Sequence, residues 1–386
     1  MAPAGAARPK DSRPRRAYID WARGVAVLLM IEAHTTDAWT RAADRKSVLF
    51  RDATILGGFA APLFLWLAGV AVVLAATHSA ARTGSRARAV EGIVRRGLVI
   101  FILAFLFRIQ AFIVSPGNHL VTLFRVDILN VMGPAIVAAG AVWALAKSAP
   151  GRVAGFSAMA IAFSMLTPIV RASPLVEHLP VWVQWYMRPA GELTVFTLWP
   201  WAGFVFAGGA AGALLATARD ARSERRVHAA IAFVGAALIV LGFYAAGRPS
   251  IYTAASFWTS SPTWFAIRVG ILMLALSWMY GLEQLVGLHE KTATRNLTGL
   301  FRAVAFSWQA PLERLGRHSL FIYWIHVELV YGYSSWLWRH HLPLWGTAIA
   351  YLLFCVLMYR AIGWRDRVVG FWRARPRGAL ISAASG

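Results

Sequence analysis

The 386-residue chain is 58% hydrophobic and only 15% charged, which leaves too little polar surface to cover a water-soluble domain of this size. Its 39 Lys and Arg against 17 Asp and Glu give a formal net charge of +22; in a soluble protein that excess would suggest nucleic acid, but here it belongs at the rims of a bilayer. The sequence therefore predicts an all-α, polytopic membrane helix bundle that binds no nucleic acid.

In chain order, residues 1–16 form a basic tail rich in Pro, Ala and Arg that cannot bury a core. Apolar runs of about 20 residues, matched to a hydrocarbon layer of roughly 30 Å, predict ten spans. They lie at 17–39, 53–77, 93–114, 126–147, 152–171, 193–217, 227–246, 263–286, 316–338 and 343–363. The transmembrane domain covers 17–364 and includes a long connection, 287–315, where Leu297, Leu300, Phe301, Val304 and Trp308 recur at helical spacing. That pattern predicts an amphipathic helix on the membrane face. Residues 365–386 form a second basic tail.

Basic residues concentrate in the tails and even-numbered connections, for example Arg82, Arg86 and Arg88, or Arg219, Arg222, Arg225 and Arg226. This places both termini in the cytosol of a multi-pass protein of the inner or plasma membrane. The first outer connection, with Arg41, Arg45, Lys46 and Arg51, fits least well. The single cysteine, Cys355, excludes an intrachain disulfide. The basic start resembles a signal sequence but lacks a small-residue cleavage site, so the first helix is expected to be retained.

That first helix carries ionisable residues where an unpaired charge costs several kcal/mol. Asp20, Arg23, His34 and Asp37 fall within about a 100° arc, with Glu32 nearly opposite. Arg23 and His34 are separated by roughly 16 Å along the axis. A basic end and a proton-transfer end suit an elongated phosphate-bearing donor such as coenzyme A, held by Arg23, Arg95, Arg96 and Arg317. Histidine titrates near neutrality and can take a proton from a hydroxyl or amine; Asp37, one turn on, is placed to orient the His34 imidazole. Asp127, Asn130, Glu192 and Arg268 occupy the outer halves of spans and are expected to line the same cavity, with an Asp127–Arg268 ion pair as the competing reading. Outer tryptophans, including Trp182, Trp185, Trp258, Trp264, Trp336 and Trp338, suit either an interfacial belt or sugar stacking. Intramembrane His, Asp and Arg also suit a proton-coupled transporter of a small anion or glycolipid, although Pro62 and Pro200 do not form a matched pair of broken helices.

Asp20, Arg23, Gly24 and His34 form the pattern D-x-x-R-G with His eleven residues after the Arg, and residues 315–326, Leu-Gly-Arg-His-Ser-Leu-Phe-Ile-Tyr-Trp-Ile-His, form a late block. Both resemble the transmembrane acyltransferase superfamily, which joins the acyltransferase-3 proteins with the heparan-alpha-glucosaminide N-acetyltransferase-like proteins. Residues 62–69 and 126–133 resemble further blocks of the heparan branch. The resemblance implies a ten-helix bundle that moves an acyl group, commonly acetyl, from cytosolic acetyl-CoA to an extracytoplasmic glycan. It makes His34 the catalytic histidine and Arg23 part of the acyl-donor site. Asp20, Arg95, Arg96, Arg317, Tyr323 and His326 are further donor-site candidates, Asp37 and Asp127 catalytic ones, and Asn130, Glu192 and Arg268 acceptor-binding ones. No metal is expected, and pairing with a second copy is compatible with the sequence. In the heparan branch the working histidine lies in the loop after this helix, whereas no histidine separates His34 from His78 here.

Overall fold

A computed structural model describes residues 15–115, 119–292 and 308–374. Among the described residues the chain is all-α. Its helices are α1 (Ala17–Trp39), α2 (Val48–Gly57), α3 (Ala60–Thr83), α4 (Arg86–Val114), α5 (Ile128–Leu145), α6 (Ala149–Ala172) and α7 (Val181–Met187). They are followed by α8 (Leu198–Thr217), α9 (Ala221–Ala246), α10 (Pro262–Thr292), α11 (Gln309–Arg317), α12 (Ser319–Tyr331) and α13 (Leu344–Ala374).

Among the described residues eight stretches are long and apolar enough to cross a membrane, one of them formed by α2 and α3 together. The expected first and ninth spans fall outside that set for different reasons. Helix α1 has 23 residues, enough to cross, but its ionisable stripe makes it less apolar. Helix α12 has only 13 residues, about 20 Å, and His318 at φ −105°, ψ 17° separates it from α11. The span expected at 316–338 is thus a short helix flanked by irregular backbone, an arrangement tolerated at membrane depth where protein surrounds it. The second expected span breaks at Gly58 and Phe59, and the last helix runs on past 363 to Ala374, into the segment expected as a tail. The amphipathic stretch at Leu297–Val304 lies outside the described residues. Pro62 and Pro200 sit in the first turns of α3 and α8, where a missing N–H costs little.

Glycines on both partners set the closest helix crossings. A Cβ at Gly69 would sit 1.9 Å from the Val205 carbonyl, and one at Gly208 would sit 1.9 Å from that of Trp66, so α3 and α8 touch backbone to backbone. Gly97 against Gly133 does the same for α4 and α5, and Gly235 against Gly270 for α9 and α10. In a bilayer, where burial of apolar surface between helices gives no net hydrophobic drive, such approach lets packing and weak polar contacts hold helices together. The main core lies inside these crossings around Trp66, Trp143, Phe156, Phe204 and Phe206, all fully buried.

Polar contacts sort by end of the bundle. At one end Arg16 pairs with Glu224 at 2.6 Å, the Ala17 N–H donates to Glu283, and Arg314 pairs with Asp366. At the same end Arg86 donates to the Ala144 and Ala146 carbonyls that close α5. At the other end Arg171 bridges Thr197 and Thr259, and Thr40 bridges to Leu342. The two described ends of the chain, at 15 and 374, lie on the arginine-rich side.

Candidate functional site

Helices α1 and α12 bring their histidines together. His34 Nδ1 lies 2.8 Å from His326 Nε2, with ring planes 8° apart. His326 Nδ1 is 2.8 Å from the Ile322 carbonyl and 3.0 Å from that of Tyr323. Carbonyls only accept, so His326 Nδ1 carries the hydrogen and its Nε2 presents a lone pair. That lone pair must accept from His34 Nδ1–H, which leaves His34 Nε2 bare. The contacts alone thus assign both tautomers. His326 is wholly buried, whereas His34 is partly accessible.

Asp37 does not meet the His34 imidazole by hydrogen bond. Its carboxylate accepts from the Tyr331 hydroxyl at 2.8 Å and lies 3.7 Å from Arg45. Tyr331 in turn sets its ring 5.6 Å from that of His34, edge to face. Arg45 also donates to the Asp37 carbonyl and, at 2.9 Å, to His340 Nδ1. The expected one-turn orienting contact is replaced because Asp37 sits at the exposed end of α1, where a guanidinium and a phenol reach it first.

Asp127 and Asn130 begin α5. The Asp127 N–H donates to Asn130 Oδ1 at 3.0 Å in a reciprocal capping box, and the Asp127 carboxylate pairs with buried Arg108 from α4. The Asp127–Arg268 pair does not form. Arg268 instead donates to the Gly58 carbonyl, where α2 ends, and stacks over Phe59 and Trp264 at 4.9 and 4.4 Å. Asn130 Nδ2 reaches the Tyr186 hydroxyl at 3.4 Å. Glu192 is exposed on a 3₁₀ turn, Gly191–Leu193. Trp185 and Trp264 are buried, whereas Trp182, Trp258 and Trp336 are open to the surroundings.

At the arginine-rich end, Asp20 accepts from Arg15 at 2.6 Å and from Arg23 at 3.2 Å, so two guanidiniums share one buried carboxylate. Arg96, on α4, is close enough to act electrostatically on Arg23. Arg95 and Arg96 are exposed, and Arg317 is largely exposed with Glu313 at 3.4 Å. Helix α11 packs on this part of α1. A Cβ at Gly316 would meet the Asp20 carbonyl at 2.0 Å, and one at Gly24 would meet that of Leu312 at 2.2 Å. The glycines of the early and late sequence blocks therefore lie against each other's helices.

Tyr323, one turn before His326, packs its ring 5.3 Å from Phe107 and 6.0 Å from His326. It stands between the arginine-rich end and the histidine pair. Arg108, Tyr331, Arg45 and Glu328 are not among the site residues expected from sequence. Glu328, buried on α12, accepts from Ser115 at 2.9 Å and ties α12 to the end of α4. An ionisable side chain inside the span expected at 316–338, two residues after His326, is the signal that could have found it. No group of three or more His, Cys, Asp or Glu suited to a metal ion occurs among the described residues.

No curated protein matches the chain. The catalytic-domain family of heparan-alpha-glucosaminide N-acetyltransferase, by contrast, matches residues 15–252, more than half of the sequence, from just before α1 to just past α9. The chain belongs to that family, and so to the membrane acetyltransferases.

Proposed function

We propose that the protein transfers an acetyl group from acetyl-CoA, entering from the cytosolic, arginine-rich end, to a hydroxyl or amine of an extracytoplasmic glycan or glycolipid. His34 is the general base. The observation that carries this reading is the hydrogen-bond chain from the Ile322 carbonyl through His326 to His34, which leaves His34 Nε2 as a bare lone pair on a partly accessible ring.

In the proposed reaction the acceptor O–H or N–H gives its proton to His34 Nε2 as its oxygen or nitrogen attacks the thioester carbonyl. The imidazolium that forms keeps its Nδ1–H on His326 Nε2, which disperses the new charge. Collapse of the tetrahedral adduct breaks the C–S bond, and the departing thiolate takes the proton back from His34. Atoms and charge balance without a metal. Arg23, with Arg15 and Arg96 nearby, supplies positive charge for the donor's phosphates at the opposite end of α1. Asp20 fixes Arg23 rather than touching the donor. Asp127 and Asn130 act through the position of α5.

The test uses purified protein, radiolabelled acetyl-CoA and extracytoplasmic glycan extract. Label should move to the glycan with wild type and fall by about 10²–10⁴-fold with His34→Ala. Transfer that persists in that variant overturns the assignment.

A further inference from the structure

We propose that the arginine-lined cleft between α11 and the end of α13 binds the phosphate headgroup of an anionic phospholipid. The cleft holds about 530 Å³ and is lined by Arg314, Tyr359, Arg360, Trp364, Asp366 and Arg367.

Helix α13 has 31 residues, about 46 Å, against a hydrocarbon layer of about 30 Å. Its final turns must therefore leave the apolar layer. Leu353 and Val356 are more than half exposed on one stripe of this helix. Continued at spacings of three and four, the same stripe reaches Arg360, Trp364 and Arg367. The surface that faces acyl chains thus becomes, on the same face, two arginines around an exposed tryptophan. An indole at the headgroup boundary beside guanidiniums is the arrangement a phospholipid phosphate fits.

Charge within the cleft points the same way. Its one carboxylate, Asp366, is taken by Arg314 at 3.0 Å and Arg365 at 3.2 Å. Arg365 also reaches His318 Nδ1 at 3.4 Å and lies over the Phe321 ring, while Arg314 lies 5.3 Å from the Tyr359 ring. Arg360 and Arg367 form no ion pair among the described residues. The cleft is therefore net positive, with two uncommitted guanidiniums that can fork onto phosphate oxygens.

The cleft is separate from the donor end of α1. Leu312 and Gly316 present one side of α11 to α1, and Arg314 falls about 200° around the helix from Leu312. A lipid headgroup beside Arg314 thus has the width of α11 between itself and Arg23.

The experiment uses delipidated full-length protein in neutral detergent, with short-chain phosphatidylglycerol or phosphatidylcholine as probes and thermal shift and native mass spectrometry as readouts. Phosphatidylglycerol should bind and raise the melting temperature, phosphatidylcholine should not, and the shift should shrink with added salt. The Arg360→Gln/Arg367→Gln double variant should lose roughly thirtyfold in phosphatidylglycerol affinity while its KM for acetyl-CoA stays at the wild-type value. Asp366→Asn, which removes the negative charge, should tighten phosphatidylglycerol binding and guards against a double variant that does not fold. Equal response to both lipids, or retained affinity in the double variant, overturns the proposal. An equal shift with glycerol 3-phosphate reassigns the cleft to free phosphates, and competition by coenzyme A lost in the double variant reassigns it to the acyl donor; either result overturns the lipid assignment.

Discussion

His34 Nδ1 and His326 Nε2 lie 2.8 Å apart although 292 positions separate them in the chain. If this contact orients the base, His326→Ala should lower kcat by about 10²-fold while the KM for acetyl-CoA changes little. The pH profile should change with it, because an imidazolium without its acceptor forms less readily and the limb that reports loss of the bare base shifts. Wild-type kcat in this variant, on protein shown to be folded, would mean the contact only packs α12 against α1.

Asp127 separates a chemical role from a structural one. Asp127→Asn keeps a good N-cap for α5 but removes the charge that Arg108 needs. Breaking such a buried pair from one side costs about 3–5 kcal/mol, because the other charge is left alone. The expected result is a clear drop in melting temperature with activity per folded molecule retained. A folded, stable and inactive variant would place Asp127 in the chemistry instead.

Arg23 should act on the donor's phosphates and not on its thioester. Arg23→Gln should raise the KM for acetyl-CoA by about tenfold or more, about 1.4 kcal/mol of lost binding, while leaving S-acetylpantetheine, which lacks phosphates, unaffected. Equal loss with both thioesters would place Arg23 elsewhere in the mechanism.

His340 makes the end nearest His34 sensitive to pH. Partial burial, then the guanidiniums of Arg45 and Arg339, hold its imidazole below the ordinary histidine value. Its Nδ1 accepts from Arg45, so the neutral ring is the bonded one. A base with a lowered folded value contributes stability that is complete above its unfolded value of about 6.5 and is lost as pH falls through the lower folded value. Hydrogen-exchange protection in residues 332–343, measured against the intrinsic rate at each pH, should fall as pH drops through that window. In His340→Gln, whose amide oxygen accepts without titrating, the pH dependence should disappear.

The bundle was legible because apolar runs of about 20 residues can hardly be anything else in a chain this poor in charge. Where the reading failed, the cause was local. Hydropathy cannot register that Gly58 and Phe59 interrupt one span, or that Gly332 ends α12 well short of a crossing. The polar stripe on α1 was visible because four residues share one arc of one helix. The partners were hidden because each comes from another helix: His326 reaches His34 from α12, Arg108 reaches Asp127 from α4, and Tyr331 reaches Asp37. Asp37 was paired with His34 on spacing alone, and spacing says nothing of an arginine arriving from the next loop.

The histidine pair ends on backbone carbonyls and not on a carboxylate, so both rings can rest uncharged. A histidine held by an acidic side chain would oblige the membrane interior to keep a permanent anion, at a desolvation cost of several kcal/mol. With Ile322 and Tyr323 supplying the final acceptors, the proposed reaction puts positive charge on His34 only while a proton is in transit. A histidine pair built this way can stand idle without adding an ion of its own to those the bundle already shelters at Asp20, Arg108 and Asp127.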